Sequence, residues 1–142
     1  MPFNRHEYPV LQAAAVDGDT VAAHLDLGFR ISFSVLVRLP GIDAPERNRR
    51  KQQAAGEHAF EGVAWWLDEH RCPDLRCVSL AMDKYANRIV GDLFLPEAPE
   101  ATLSAWLQTK GLVREYKGDK RLPWTEAELR RVLAVRILGT QL

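Results

Sequence analysis

The chain is short of features that mark several protein classes. Cysteine is nearly absent: Cys72 and Cys77 are the only two in 142 residues. They stand in "HRCPDLRC" beside His70, but the C-x-x-C spacing and the fourth ligand of a zinc site are missing, so free thiols are expected. No apolar run approaches the roughly 20 residues that cross a bilayer. The opening "MPFNRHEYPV" lacks the apolar stretch of a secretory leader. The expectation is a cytoplasmic monomer with no membrane partner, with non-classical secretion left open. Net charge is absent as well: 19 Lys and Arg balance 19 Asp and Glu, so total charge neither points to a nucleic-acid partner nor excludes one. The balance is uneven along the chain. Lys110 to Arg136 holds eight basic residues against four acidic ones, and Met1 to Thr109 holds eleven against fifteen.

What is present is an ordinary apolar fraction, 46%, in a length that suits one domain over 1–142 with a single core. Apolar residues alternate at Val21, Ala23, Leu25 and Leu27. They resume after Gly28 at Phe29, Ile31, Phe33, Val35, Val37 and Leu39. Period-2 patterning on both sides of a glycine predicts a β-hairpin. The earlier run "PVLQAAAV" ends at Asp17-Gly18, a favoured turn pair, which makes a three-stranded meander with Asp19 opening the second strand. A helix follows in "GEHAFEGVAWWLDEH", where Phe60, Val63, Ala64 and Leu67 share one face. "LRCVSLAM" and "RIVGDLFL" read as two more strands joined by the polar "DKYAN". "LSAWLQTK" predicts a helix stopped by Gly111. Thr125 and Glu128 form a capping box that opens the last helix, expected to run through Leu129, Val132, Leu133 and Ile137. Trp65, Trp66 and Trp106 fall in helical patterns and are expected in the core, and Trp124 is placed to act as a hydrophobic staple. The order is β-β-β-α-β-β-α-α. The expected fold class is α+β, mainly β: a five-stranded OB-fold barrel with three helices.

Three charged stretches stand at strand ends. In "LVRLPGIDAPE", Arg38 occupies the even-numbered face of its strand, away from the apolar row, and Asp43 and Glu46 follow in a turn stiffened by Pro40 and Pro45. In "VDGDT", Asp19 begins the neighbouring strand and can approach the chain leaving the third one. In "DKYANR", a lysine, a tyrosine and Arg88 sit at the last hairpin. Taken singly, each group also fits an ordinary surface pair or solvated turn. As a set they suit phosphodiester hydrolysis. Guanidinium groups match the charge on non-bridging oxygens, hard cations take carboxylate and carbonyl oxygens, and a carboxylate can activate water.

The stretches "VDGDT", "VRLPGIDAPE", "GEHAF", "DKYANR" and "LSAWLQTKGLVREYK" occur in that order over roughly Val10 to Arg136, and together they resemble the staphylococcal nuclease (thermonuclease) family. The resemblance implies an OB-fold barrel and a Ca²⁺-dependent nuclease that cleaves DNA and RNA and leaves a 3′-phosphate. It implies Asp19, Asp43 and the Ala44 carbonyl as calcium ligands, Glu46 as the base that activates water, and Arg38 and Arg88 as phosphate-binding, transition-state-stabilising residues. It places Lys84, Tyr85 and Tyr116 along the nucleotide site. Arg114 stands where the family often has an aromatic residue, so a phosphate or cation–π contact is expected there. The basic "RNRRK", Arg47 to Lys51, is placed to steer substrate. The alternative is a catalytically silent OB-fold module that binds nucleic acid or a protein.

Overall fold

The computed structural model describes residues 6–71, 73–85 and 87–137; Cys72 and the two ends of the predicted domain lie outside them. Strands β1 (Glu7–Asp17), β2 (Thr20–Gly28) and β3 (Ile31–Arg38) form the meander. A two-residue strand, β4 (Ile42–Asp43), leads to helix α1 (Gln53–His70). Strands β5 (Arg76–Met82) and β6 (Arg88–Phe94) form the second hairpin. Helix α2 (Leu103–Lys110), the two-residue strand β7 (Arg114–Glu115) and helix α3 (Glu126–Leu133) complete the chain.

The long strands close into a mixed barrel in the order β1-β2-β3-β6-β5. Closure comes from antiparallel pairing of Tyr8 with Cys77, and β3 lies parallel to β6 at Leu36–Arg88, Val37–Ile89 and Arg38–Val90. The architecture and element order are those expected: a mainly β, OB-like barrel with three helices. Among the described residues no helix is long and apolar enough to cross a membrane.

Val21, Ala23, Leu25, Val35, Val37, Leu39 and Leu93 fill the barrel, and the α1 residues Ala59, Val63, Trp66 and Leu67 cover one end. The buried face of α1 is turned slightly from the expected one. Ala55, Gly62 and Trp66 are buried, whereas Ala64 is exposed and Phe60 only half-buried. Trp65 and Trp106 stack with ring centroids 5.4 Å apart, tying α1 to α2.

The expected inward row of β3 holds only in its second half. Val35 and Val37 are buried, but Phe29 is 97% exposed and Ile31 and Phe33 also face solvent. The pairing explains this. β6 lies beside β3 only at residues 36–38, so the outer half of the β2–β3 hairpin projects beyond the barrel. Phe29 and Arg30 are not strand residues. Both adopt left-handed φ, 54° and 62°, and form the two-residue turn after Gly28. Helix α3 stops at Leu133 rather than reaching Ile137, and its capping box is present as expected. Gly111 closes α2 with φ 88°, accepting the left-handed geometry that glycine tolerates best.

One core polar group had no counterpart in the sequence reading. Asp92 of β6 is buried, and its carboxylate accepts hydrogen bonds from the Leu93 amide (3.0 Å), the Ser104 amide (3.1 Å) and the Ser104 hydroxyl. It fastens the first turn of α2 to the barrel. Burial pushes its pKa up, against the opposing hydrogen bonds from Ser104 and Leu93.

Candidate active site

The site forms where four chain segments converge at one end of the barrel. The first is the β1–β2 turn. Gly18 and Asp19 are its central residues, between the paired Asp17 and Thr20, so Asp19 stands in the turn rather than opening β2. Gly18 is required by space. A Cβ there would lie 2.6 Å from the Ala59 Cβ and 2.8 Å from the Ala44 Cβ. The turn thus packs directly on α1 and on the segment after β4.

Asp19 reaches the chain leaving β3, as its position suggested. Its carbonyl accepts from the Leu39 amide at 2.9 Å. Its Oδ1 accepts from the Thr20 hydroxyl at 3.0 Å, and its Oδ2 accepts from the Ala44 amide at 3.3 Å. The Arg38 guanidinium lies 3.6 Å from the same Oδ2.

Arg38 is buried at the end of β3. Its Nη1 donates to the Leu39 carbonyl and its Nη2 to the Ile42 carbonyl, each at 2.8 Å. The side chain folds back over the corner that carries Asp43 and Glu46. Arg88, at the start of β6, is brought beside it by the parallel β3–β6 pairing. Asn87, with φ 59°, makes the left-handed step that delivers Arg88 to the strand, and its carbonyl accepts from the Leu36 amide at 2.8 Å. The Arg88 Nε pairs with Asp83, and its guanidinium lies 5.0 Å from the centre of the Tyr85 ring. Asp83 is held below the usual carboxylate range: burial opposes this, but hydrogen bonds from the Lys84 amide and Arg88 outweigh it.

Glu46 is half-buried. Its amide donates to the Gln52 side chain at 2.8 Å, and its carboxylate pairs with Arg49 and, at 3.9 Å, with Arg121. Asp19, Arg38, Ala44, Glu46 and Arg88 all line one polar cavity of about 590 Å³. Asp17, Arg47, Glu57 and Arg121 share it. Burial and the nearby Asp19 carboxylate raise the Asp17 pKa; Arg47 lowers it, while Glu46 and Glu57 add to the rise.

Asp43 is not among these lining residues. Its buried carboxylate accepts from Arg114 Nε at 3.2 Å and Nη2 at 3.0 Å, and Arg121 Nε lies 3.9 Å from its other oxygen. It lines an adjoining cavity of about 220 Å³ with Ala44, Glu46, Arg114 and Arg121. The β4–β7 pairing of Asp43 with Arg114 brings the two together. Among the described residues, no three His, Cys, Asp or Glu side chains cluster closely enough to form a ready cation cage.

The nucleotide-flanking candidates lie further out. Lys84 and Tyr85 are exposed at the β5–β6 turn and do not line the cavity. The Tyr116 hydroxyl donates to the Asp119 carbonyl at 2.5 Å, and Arg121 sits over its ring at 5.5 Å. Arg114 lies over the Trp124 ring at 4.1 Å. Within "RNRRK", Arg47 is an internal brace. It donates to Glu57 at 3.0 Å and to the Val16 carbonyl at 2.7 Å, and it stacks on Phe60 at 3.8 Å. Only Arg50 and Lys51 are exposed without a partner role in the site.

No protein-family model matches this chain, and no curated protein matches it. The chemistry therefore rests on the geometry. Carboxylates (Asp17, Asp19, Glu46, Glu57) and guanidinium groups (Arg38, Arg47, Arg88, Arg121) line the cavity together. A concave site carrying both signs suits a phosphate diester together with a cation.

Proposed function

We propose that this chain is a calcium-dependent nuclease that hydrolyses phosphodiester bonds of DNA and/or RNA. The observation that carries the reading is the convergence of Asp19, Arg38, Glu46 and Arg88, from four separate segments, on one cavity. The lining suits a hard divalent cation in that it offers carboxylate oxygens and no sulfur or imidazole. Asp19 and the Ala44 carbonyl would hold it, with Asp43 joining once freed from Arg114. Calcium held there would supply positive charge against the phosphate and act as a Lewis acid.

The protein's own groups do the rest. Arg38 and Arg88 donate to the non-bridging oxygens as negative charge builds on phosphorus. Glu46 takes a proton from the attacking water. The P–O5′ bond breaks and the departing 5′-oxygen takes up a proton from solvent water, leaving a 3′-phosphate and a 5′-hydroxyl. Lys84 and Tyr85, exposed beside Arg88, meet the flanking nucleotide by charge and by stacking.

A second reading has its own support. Asp43 and Glu46 are already neutralised by Arg114, Arg121 and Arg49, which suits a silent OB-fold module that binds nucleic acid or a protein without turnover. One assay separates the two. Labelled single-stranded and duplex DNA, and RNA, are incubated with the protein in Ca²⁺, in Mg²⁺ and in a chelator, beside Glu46→Gln. The nuclease reading expects Ca²⁺-dependent cleavage, reduced roughly 10²- to 10⁴-fold in the variant. A shifted but uncut substrate supports the binding module, and wild-type cleavage by Glu46→Gln removes Glu46 from the mechanism.

A further inference from the structure

We infer that Arg114 and Arg121 form an internal counter-cation for Asp43 and Glu46, which holds the place of a divalent cation until calcium displaces it. The inference rests on the calcium reading above and adds a regulatory contact to it. Two guanidinium groups carry the same charge as one divalent cation, and these two are placed on the carboxylates concerned. Asp43, whose side chain is 5% exposed, accepts two N–H groups of Arg114 on one oxygen and faces Arg121 across the other. Arg121 also faces Glu46 at 3.9 Å, and it alone of the two lines both cavities. A carboxylate so buried needs an opposite charge, so cation and arginines compete for the same oxygens.

Both arginines have somewhere to go. Arg114 is already within 3.5 Å of Glu128 and rests on Trp124, so it can release Asp43 and keep an ion pair. Arg121 is held more loosely. Its side chain is 46% exposed, and its carboxylate contacts are both at 3.9 Å. Displaced from Asp43, it remains at the rim of the larger cavity as a cation facing an incoming phosphate. Cation binding and release of the arginines are thus linked, and the linkage acts in both directions.

The test is calorimetric titration of the full chain with Ca²⁺ alone, for wild type, Arg121→Gln and Arg121→Lys. Removing the competing charge is expected to tighten calcium binding by roughly two- to fivefold, the scale of an exposed pair, and Arg121→Lys is expected to return it to near the wild-type value. Arg114→Gln supplies a second readout that needs no affinity fit. With the buried Asp43 left only the more distant Arg121 at 3.9 Å, the free protein melts lower, and saturating Ca²⁺ raises its melting temperature by more than it raises that of wild type. Calcium affinity unchanged or weakened in Arg121→Gln overturns the inference while leaving the nuclease reading standing, if wild type still cleaves DNA with Ca²⁺. No calcium binding by any of the chains, together with no cleavage, overturns both.

Discussion

Gly18→Ala tests whether the site depends on direct packing of the β1–β2 turn against α1. A normal carbon–carbon contact is about 3.5–4.0 Å. The added Cβ would lie 2.6 Å from the Ala59 Cβ and 2.8 Å from the Ala44 Cβ, short by about 1 Å on each side. Neither neighbour can rotate away: both are methyl groups fixed to backbone, Ala59 with no exposure and Ala44 with 3%. Backbone must move, either α1 outward or the Asp19 turn away from Ala44. Forced overpacking of this kind costs about 1–3 kcal/mol. Gly18 does not have a left-handed φ, so the cost is steric and not conformational. The assay is urea unfolding of Gly18→Ala, Ala59→Gly and the double variant. Ala59→Gly alone costs about 1 kcal/mol as a glycine inside a helix. In the double variant the worse of the two clashes is gone, so the cycle should show a stabilising coupling of about 0.5–2 kcal/mol. A Gly18→Ala chain with wild-type stability, or strictly additive singles, would refute the packing account.

Two further predictions follow from local geometry. Replacing Phe29-Arg30 by Asn-Gly puts the residues that best accept left-handed geometry at the two positions of an exposed turn, and should stabilise the chain by about 1 kcal/mol in the same unfolding assay; a destabilised variant would mean that the exposed Phe29 ring packs on something that matters. Glu128 is held below its usual value by the hydrogen bond from the Thr125 amide, against burial and with help from Thr125 and Arg114. A depressed carboxyl stabilises the fold above its unfolded-state value of 4.5 and ceases to do so as pH falls through its folded-state value. The stability gap between wild type and Glu128→Gln should therefore be present at neutral pH and close on the acid side of 4.5; a gap independent of pH would contradict this.

The features that were legible in the sequence are those written in local pattern. The capping box at Thr125 and the stop at Gly111 use residues a few positions apart, and both appear as read. The sequential element order followed from hydrophobic periodicity, and the approach of Asp19 to the chain after β3 followed from meander adjacency. The failures have a common cause. Period-2 alternation says that a strand has two unlike faces, but it does not say where the neighbouring layer ends. Phe29, Ile31 and Phe33 continue the apolar row past the point where β6 stops covering β3. Nothing local singles out Asp92, because its partner, Ser104, lies on another element. Asp17, Arg47, Glu57 and Arg121 enter the cavity through contacts far apart in sequence, such as Arg47 with Val16 and Arg121 with Asp43. Arg114 was read as a replacement for an aromatic residue, and nothing local signalled its pairing with Asp43 across β4 and β7.

The arginines around the site are not equivalent, and the difference lies in what holds them. Arg38 is hydrogen-bonded to two backbone carbonyls, Leu39 and Ile42, which are neutral and belong to the rigid corner itself, and the Asp19 carboxylate stands further off, at 3.6 Å. A guanidinium has five N–H donors in a planar fork, so these bonds set its orientation while leaving donors for an anion. Such a group needs no rearrangement when negative charge arrives, which is the condition for strong electrostatic stabilisation. Arg88, Arg114 and Arg121 are held by carboxylates: Asp83, Asp43 with Glu128, and Asp43 with Glu46. Those pairs compete directly with any incoming phosphate or cation. The overall neutrality of the chain is thus repeated locally, in a network that binds itself. A ligand of one sign gains little there, because each arginine or carboxylate it recruits leaves an opposite charge behind. A cation and a phosphate arriving together satisfy both halves at once, so the network favours joint occupancy over binding either one alone.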